Sequence, residues 1–256
     1  MERQSNSKPN DRTVVAIHQP NFLPWLGWFD KLRLADKFVI LDDVQFPKSG
    51  AGTWINRVQM IIGGRPAWIT LPVVRSFEGT RLISEMVLDE QATWRAKMLR
   101  TLRLNYGKHP YSDEVLESLE PLLESPESSL CQYNCALLER IATRLGLPWS
   151  IVVRSSATPV VERSTDRLAA LVQANQGTVY LAGGGASGYQ QDDTFAQQRI
   201  AVEYQSFVPP VYPQRGVEPF SPGLSVVDAL MNLGFEGTRE LLIRPSLQSA
   251  DSHLSK

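Results

Sequence analysis

The sequence predicts an α/β fold, a three-layer domain with a mainly parallel sheet, an added β-hairpin and a helical insertion. Short apolar runs alternate with helical patterns in the first and last thirds of the chain, which is typical of parallel sheets. In the middle of the chain, two strand-like runs flank a Gly-Gly pair, and three helical patterns then follow one another. With 256 residues, 43% of them hydrophobic, the chain can bury a substantial core.

The first part of the chain predicts a strand, a loop, a helix and a second strand, in this order. TVVAI is rich in β-branched residues and predicts a buried strand that ends at His18. WLGWFDKLRLA has helical spacing, and KFVIL predicts a second buried strand that ends at Asp42 and Asp43. The positions expected to face inward on the helix are Leu26, Phe29 and Leu32, with Leu34 as a further candidate.

The middle of the chain predicts a hairpin and then helices. RVQMIIGGRPAWITLPV, residues 57–73, has a hairpin signal at Gly63 and Gly64 and is expected to form an edge or a flap. Helical patterns over 93–106, 112–123 and 130–145 follow, the last ended by Gly146 and Pro148. We interpret residues of about 91–146 as a helical insertion.

The β–α alternation then resumes. WSIVV, GTVYLA and IAVEYQSF predict strands, and a helix is expected from about Thr165 with Ser164 as its cap. LSVVDALMNLG predicts a closing helix with Gly234 at its C-terminal cap. We expect a single domain over 12–243, with flexible polar tails at 1–11 and 245–256.

Composition narrows the functional classes. The formal net charge of −1 gives no sign of a DNA-binding protein. The polar first residues lack the apolar core of a signal peptide, and no apolar run reaches the length of about 18 residues that a membrane span needs, so a cytoplasmic location is expected. Cys131 and Cys135 lie four residues apart in a helical pattern, which favours reduced structural thiols.

Polar residues follow the first two predicted strands. Ligands of open parallel sheets bind outside the carboxyl ends of the strands, where His18, Gln19 and Asn21 are expected. We interpret His18 as a general base whose imidazole is oriented by Asp42 or Asp43; a buried histidine with a fixed hydrogen bond is the alternative. Adjacent strand residues face opposite ways, so the two acids are weak evidence for magnesium, and no metal or cofactor is predicted.

Three loops carry further candidates. DVQFPKSGAGTWINR places Gln45, Lys48, Asn56 and Arg57 around small residues, which favours phosphate or carboxylate binding over a solvated turn. GGGASG fits the dinucleotide pattern G-x-G-x-x-G, but the residues after it are too polar to pack a helix on the sheet. We therefore expect a loop that closes over a polar ligand. Its possible contacts are Ser187 and Tyr189, while Tyr212 and Gln214 of a proline-rich stretch either line the same cleft or pin that stretch by packing.

The helical pattern ATWRAKMLRTLRLNYGK is rich in basic residues. A solvated helix face is the plain explanation. If the substrate were a tRNA, this segment would be the first candidate for contact. Its basic residues are Arg95, Lys97, Arg100, Arg103 and Lys108.

The motifs together resemble the WbqC-like protein family. They are IHQPNFLPWLGWFDKL, LDDVQFPKSGAGTWINR, TVYLAGGGASGY, VYPQ and PFSPGLSVVDALMNLG, and the resemblance spans about 13–242. It implies a role in surface-polysaccharide biosynthesis, with acyl or aminoacyl transfer to amino sugars. It assigns no catalytic residue, so the catalytic roles of His18, Asp42, Lys48 and Arg57 are hypotheses from chemistry. The matched motif residues are Gln19, Asn21, Trp25, Asp43, Gln45, Asn56, Tyr189, Tyr212 and Gln214.

The strand, histidine loop, helix and strand also resemble the first half of Rossmann-like nucleotidylyltransferases and pantothenate synthetases. The chain departs from their HxGH signature because no second histidine follows His18. The favoured hypothesis is a cytoplasmic acyl or aminoacyl transferase that modifies an amine of an amino sugar or small metabolite. The alternatives are a non-catalytic module that binds a sugar nucleotide or a partner, and a nucleotidylyltransferase-like enzyme. An aminoacyl-tRNA is one possible donor.

Overall fold

A computed structural model describes residues 12–47, 54–90, 93–184 and 192–243. The chain divides into two compact units. The first contains the chain as far as His18, together with Leu34–Leu41 and Ile151–Ser206; the second contains Gln19–Arg33, Asp42–Ser150 and the chain from Phe207. The two units therefore interleave along the sequence instead of following one another.

The described residues form seven strands and seven α-helices, numbered here in chain order. The strands are β1 (Val14–His18), β2 (Lys37–Ile40), β3 (Arg57–Ile62), β4 (Arg65–Thr70), β5 (Val152–Arg154), β6 (Val179–Ala182) and β7 (Ala201–Tyr204). The helices are α1 (Leu26–Leu34), α2 (Trp94–Tyr106), α3 (Ser112–Leu123), α4 (Leu130–Arg144), α5 (Ser164–Ala174), α6 (Asp192–Gln197) and α7 (Val226–Ile243). None of the helices in the described ranges is long and apolar enough to cross a membrane.

The first unit is built on a five-stranded sheet in the order β5-β2-β1-β6-β7. All four neighbouring pairs are parallel, and His18 lies opposite Ile40 in the register of β1 and β2. The central strand is buried from Val14 to Ile17, as expected for a parallel sheet covered on its faces. The predicted α/β, Rossmann-like class with a parallel sheet is confirmed.

Helices α5 and α6 contribute to the core of the first unit. Ala169 and Val172 of α5 are fully buried in one cluster with Val15 of the central strand. Phe195 of α6 stacks on Tyr180 of β6, with ring centroids 5.0 Å apart and an interplanar angle of 9°. The short α6 thus attaches to the sheet through an aromatic side chain.

The second unit contains the predicted hairpin and the predicted run of helices. β3 and β4 pair antiparallel, and the φ angles of Gly63 and Gly64 are +61° and +76°, as a tight primed turn requires. The helices α2, α3 and α4 begin and end within one residue of the predicted bounds. Asn134 of α4 is fully buried, and its Nδ2 donates to the carbonyl oxygens of Pro20 and Ile55 at 2.8 and 2.7 Å.

The predicted end of a helix at Gly234 agrees with its φ of +71° and ψ of 180°, which interrupt the helical path, although a second helical stretch follows within α7. Two other predictions are wrong. Helix α5 starts at Ser164 itself, after Arg163, whose side chain makes no capping bond. Leu34 is 42% exposed, because α1 ends there, whereas the inward positions Leu26, Phe29 and Leu32 are confirmed as buried.

Candidate functional site

The sheet of the first unit has a topological switch point between β1 and β6. Counted within this sheet alone, the strand order is 3-2-1-4-5, the order of the doubly wound fold. The chain leaves β1 towards β2 on one side, and it returns later to β6 on the other side. In open α/β sheets this reversal opens a crevice at the carboxyl ends of the strands, where ligands bind.

His18 is the last residue of β1 and therefore lies at this crevice. Its side chain is half-buried, whereas the four preceding residues of the strand are buried. Its carbonyl oxygen accepts a hydrogen bond from Leu41 N at 2.8 Å, which fixes the backbone at the strand end. The imidazole is thus carried by a rigid element at the edge where a ligand is expected.

The neighbouring strand β6 ends in glycines. Gly183 and Gly184 follow Ala182, and a Cβ at Gly184 would lie 3.0 Å from the carbonyl oxygen of Gln205. The sequence pattern GGGASG therefore starts with a close backbone approach in the first unit. Its later residues Ser187 and Tyr189 lie outside the described residues, as does Lys48.

The paired acids differ in their surroundings within the second unit. Asp42 is fully buried, with Cys131 Sγ at 4.0 Å from its Oδ2 atom, and its carbonyl oxygen accepts a hydrogen bond from Ser84 N. Asp43 is half-buried. Among the described residues, no group of three or more His, Cys, Asp and Glu side chains could hold a metal ion.

The motif loop after β1 packs closely. Gln19 accepts a hydrogen bond at its carbonyl oxygen from Trp28 Nε1 at 3.2 Å. Asn21 is 6% exposed, and its Oδ1 lacks a hydrogen-bond partner in the described part of the chain. A Cβ at Gly27 would lie 2.3 Å from the ring of Trp25, so glycine is needed for that indole to pack on α1.

The residues around the hairpin have different roles in the packing. Gln45 is exposed and forms an isolated antiparallel bridge with Leu82. Asn56 is buried, and its Nδ2 donates to the carbonyl oxygen of Leu71 at 2.9 Å, which closes the open end of the hairpin. The guanidinium of Arg57 lies 4.1 Å from the ring centroid of Trp68. Asn56 therefore has a structural hydrogen bond that its sequence context did not indicate.

Tyr212 and Gln214 surround a buried carboxylate that the sequence analysis missed. Tyr212 Oη and Gln214 Nε2 donate to Asp228 Oδ2 at 2.8 and 3.0 Å, and Tyr106 Oη donates to Asp228 Oδ1 at 3.0 Å. Asp228 is 1% exposed. A single acid on the apolar face of the last helix was the available signal for Asp228, because a buried charge needs partners; no comparable signal identifies Tyr106.

Burial shifts the ionisation of this cluster towards neutral forms. It raises the pKa of the Asp228 carboxyl, although the hydrogen bonds from Tyr212 and Tyr106 oppose the shift. It also raises the pKa of the Tyr106 and Tyr212 hydroxyls above their usual range. His109 lies against Tyr106 with ring centroids 4.9 Å apart, and partial burial lowers the pKa of its imidazole.

A cavity of about 570 Å³ lies beside this cluster in the second unit. Tyr212 and Gln214 line it together with Arg215 and Asn232. Its walls combine amides, the guanidinium of Arg215 and the carboxylate of Glu218 with aromatic and other apolar side chains, a mixture that is typical of small-molecule sites. That these residues share a cleft with His18 stays a prediction.

Two of the basic residues of α2 are held in ion pairs. Arg95 pairs with Glu90 at 2.5 Å and also donates to the carbonyl oxygens of Ser125 and Glu127. Arg103 pairs with Glu120. Two of the four basic residues of α2 are therefore paired with carboxylates, and contact of this helix with a tRNA stays a prediction.

Comparison with known proteins gives a family-level match. The model of the WbqC-like protein family matches residues 19–240. An uncharacterized protein of Mycobacterium tuberculosis (strain ATCC 25618 / H37Rv), Rv1507c, is 30% identical over 223 residues, which cover 87% of this chain and 94% of the relative. No solved structure matches the chain.

Proposed function

The chain belongs to the WbqC-like protein family, and on that premise we propose that it is a cytoplasmic group transferase. It passes an acyl or aminoacyl group to an amine of an amino sugar or another small metabolite, in polysaccharide or related biosynthesis. The observation that carries the proposal is the position of His18 at the carboxyl end of β1, beside the switch point to β6. Histidine is the side chain that most often transfers protons as a general base in enzymes.

The proposed step is acyl transfer from an activated ester to the amine. The amine nitrogen attacks the carbonyl carbon, a C–N bond forms, and the ester C–O bond breaks. His18 takes the proton from the attacking nitrogen and returns it to the oxygen of the leaving group. Asp42 or Asp43 would orient the imidazole, and Lys48 with Arg57 would hold a phosphate or carboxylate of either substrate.

Substitution of His18 tests this step. We expect His18→Asn to lower turnover by about a hundredfold or more, while the melting temperature stays near that of the wild type. Product formation from candidate acyl donors and amino sugars is followed by mass spectrometry. His253→Asn serves as the matched control and should retain activity. A His18→Asn protein with wild-type turnover would show that the histidine has no catalytic role.

A non-catalytic binding module is the second candidate, and the cavity lined by Tyr212 and Gln214 favours it. A sugar nucleotide would then bind without chemical change. An aromatic side chain such as Trp25 or Tyr212 would contribute more to the free energy of binding than His18. Calorimetry with sugar nucleotides, run beside product analysis, separates the two functions. Saturable binding with no mass change under any donor supports the module, and a new acylated product contradicts it.

The nature of the donor has its own test. If the donor is an aminoacyl-tRNA, ribonuclease treatment abolishes transfer, and substitutions of the basic residues of α2 weaken it in a salt-dependent way. Transfer that survives ribonuclease excludes a tRNA donor. A nucleotidylyltransferase-like reaction would instead release pyrophosphate from a nucleoside triphosphate, which the same product analysis detects.

A further inference from the structure

A second cavity, of about 630 Å³, lies in the second unit between strand β4 and helix α2. Trp68 and the nearby Pro72 contribute one wall, and Trp94, Lys97, Met98 and Thr101 contribute the other. We call it the β4–α2 groove. The group transfer proposed above assigns no catalytic role to any residue that lines the groove.

The surface of the β4–α2 groove is mainly apolar and aromatic. Trp68 is 41% exposed, and its ring is backed by the guanidinium of Arg57 at 4.1 Å from the ring centroid. Trp94 and Met98 are 8% and 6% exposed and form a buried base next to it. Small-molecule sites typically combine such apolar walls with a few polar groups.

The polar groups of the groove select the charge of a ligand. The indole Nε1 of Trp94 is buried and has no acceptor among the described residues. The ammonium of Lys97 is exposed, and the described structure gives it no carboxylate partner. None of the residues that line the groove is acidic. The groove therefore places one exposed cation, with no carboxylate partner among the described residues, beside an apolar wall.

We propose that the β4–α2 groove binds an organic anion with an apolar ring or chain. The apolar part packs on Trp68 and Met98, and the anionic group pairs with Lys97. A neutral apolar molecule would leave Lys97 unused, and a polyanion would need more cations than the groove offers. A carboxylate, sulfonate or phosphate attached to an apolar body satisfies both features.

Two dyes that differ by one charged group test the proposal. 1-Anilinonaphthalene-8-sulfonate carries a sulfonate, and N-phenyl-1-naphthylamine has the same rings without it. Fluorescence titration of the full chain should show binding of the sulfonate tighter by about tenfold, which is the range for one charge-assisted contact. Lys97→Gln should abolish this preference. Lys108→Gln, an exposed lysine outside the groove, should keep it.

Location is tested independently with the tryptophan indole signals in a ¹⁵N NMR spectrum. Trp94→Phe identifies the signal of Trp94, and that signal should shift when the sulfonate dye is added to the wild type. Equal affinity of the two dyes for the wild type would mean that the protein binds apolar molecules without selecting an anion, which overturns the proposal. An unchanged preference in Lys97→Gln, or saturation of the dye without a shift at Trp94, would overturn it as well.

Discussion

Among single residues, Lys31 shows how strongly burial can alter a side chain. It lies in α1 with 2% of its surface exposed, and burial lowers the pKa of its ammonium to about 7. The burial of Lys31 was not predictable from the sequence, because the helical pattern places this residue between inward-facing positions. Both faces of α1 are covered in its middle, as the burial of Trp28 and Asp30 also indicates.

Lys31 makes folding stability depend on pH. The pKa is depressed in the folded state, so between about pH 7 and 10.5 the unfolded chain binds more protons, and stability rises with pH across this window. We expect Lys31→Met to remove this rise, a difference on the order of a few kcal/mol. Urea unfolding at several pH values from 6 to about 10 measures it. Lys37→Met, at an exposed lysine, is the control, and parallel curves for Lys31→Met and the wild type would contradict the assignment.

Asn134 is a residue whose role depends on distant contacts. Its side-chain amide donates to two backbone carbonyls, of Pro20 and Ile55, within the second unit. Asn134→Ala leaves both acceptors buried without a donor, so we expect a loss of about 2–4 kcal/mol in the free energy of unfolding. Glu139→Ala, exposed on the same helix, should change it by less than about 0.5 kcal/mol. Equal denaturation midpoints for the two variants would contradict this role.

The positions of the candidate residues were predictable where they depend only on residues close to them in the sequence. The apolar run TVVAI fixed the end of a strand and hence the place of His18. By contrast, the amide of Asn56 closes the hairpin through Leu71, fifteen residues away, and Asp228 meets Tyr106, which lies 122 residues earlier in the chain. No local pattern contains such pairs, so their hydrogen bonds could not be inferred from the sequence.

Secondary-structure elements were likewise predictable where residues close in the sequence determine them. The hairpin was predictable because Gly63 and Gly64 supply both positive φ angles of its turn. The three helices of the middle section were predictable from their periodicity. The continuation of α7 beyond Gly234 was not, because a glycine with a positive φ is equally compatible with the end of a helix and with a kink between two helical stretches.

Gly234 should therefore tolerate no side chain. A Cβ there would lie 2.7 Å from the ring of Tyr111, in addition to the strain of a φ of +71°. We expect Gly234→Ala to cost about 2–4 kcal/mol by strain and steric overlap together. Gly63→Ala has a similar φ of +61° but nothing within 4 Å, so it isolates the strain, at about 1–2 kcal/mol. Chemical denaturation compares them, and an equal loss in both variants would rule out the overlap.

At the scale of the whole molecule, the class of the fold was predictable, but the interleaving of two compact units was not. Alternating strands and helices indicate a parallel sheet without indicating which segments leave it. Here the chain between β2 and β5 lies in the second unit, although these two strands are hydrogen-bonded neighbours in the first. Which segments belong to which unit depends on contacts between residues that are far apart in the sequence. No short stretch of sequence contains such contacts.

Truncation tests this organisation. A chain trimmed to 12–243 keeps every described element, so we expect it to melt within about 2 °C of the full chain. A fragment ending at residue 150 lacks β5, β6 and β7, so we expect it to lose the sheet. Circular dichroism measures the melting temperature of the trimmed chain. The dispersion of the NMR chemical shifts reports whether the short fragment keeps the sheet. Native-like signals from β1 in the short fragment would contradict the expectation.

The placement of β1 also has a consequence for synthesis on the ribosome. Among the strands of this sheet β1 is synthesised first, yet Val14 pairs with Val179, and of its two neighbours only β2 emerges soon after it. At translation rates of about 5–20 residues per second, one edge of β1 waits on the order of ten seconds or more for β6. During that interval the nascent chain carries an open apolar strand edge, and the time of greatest aggregation risk falls before the last third has been translated.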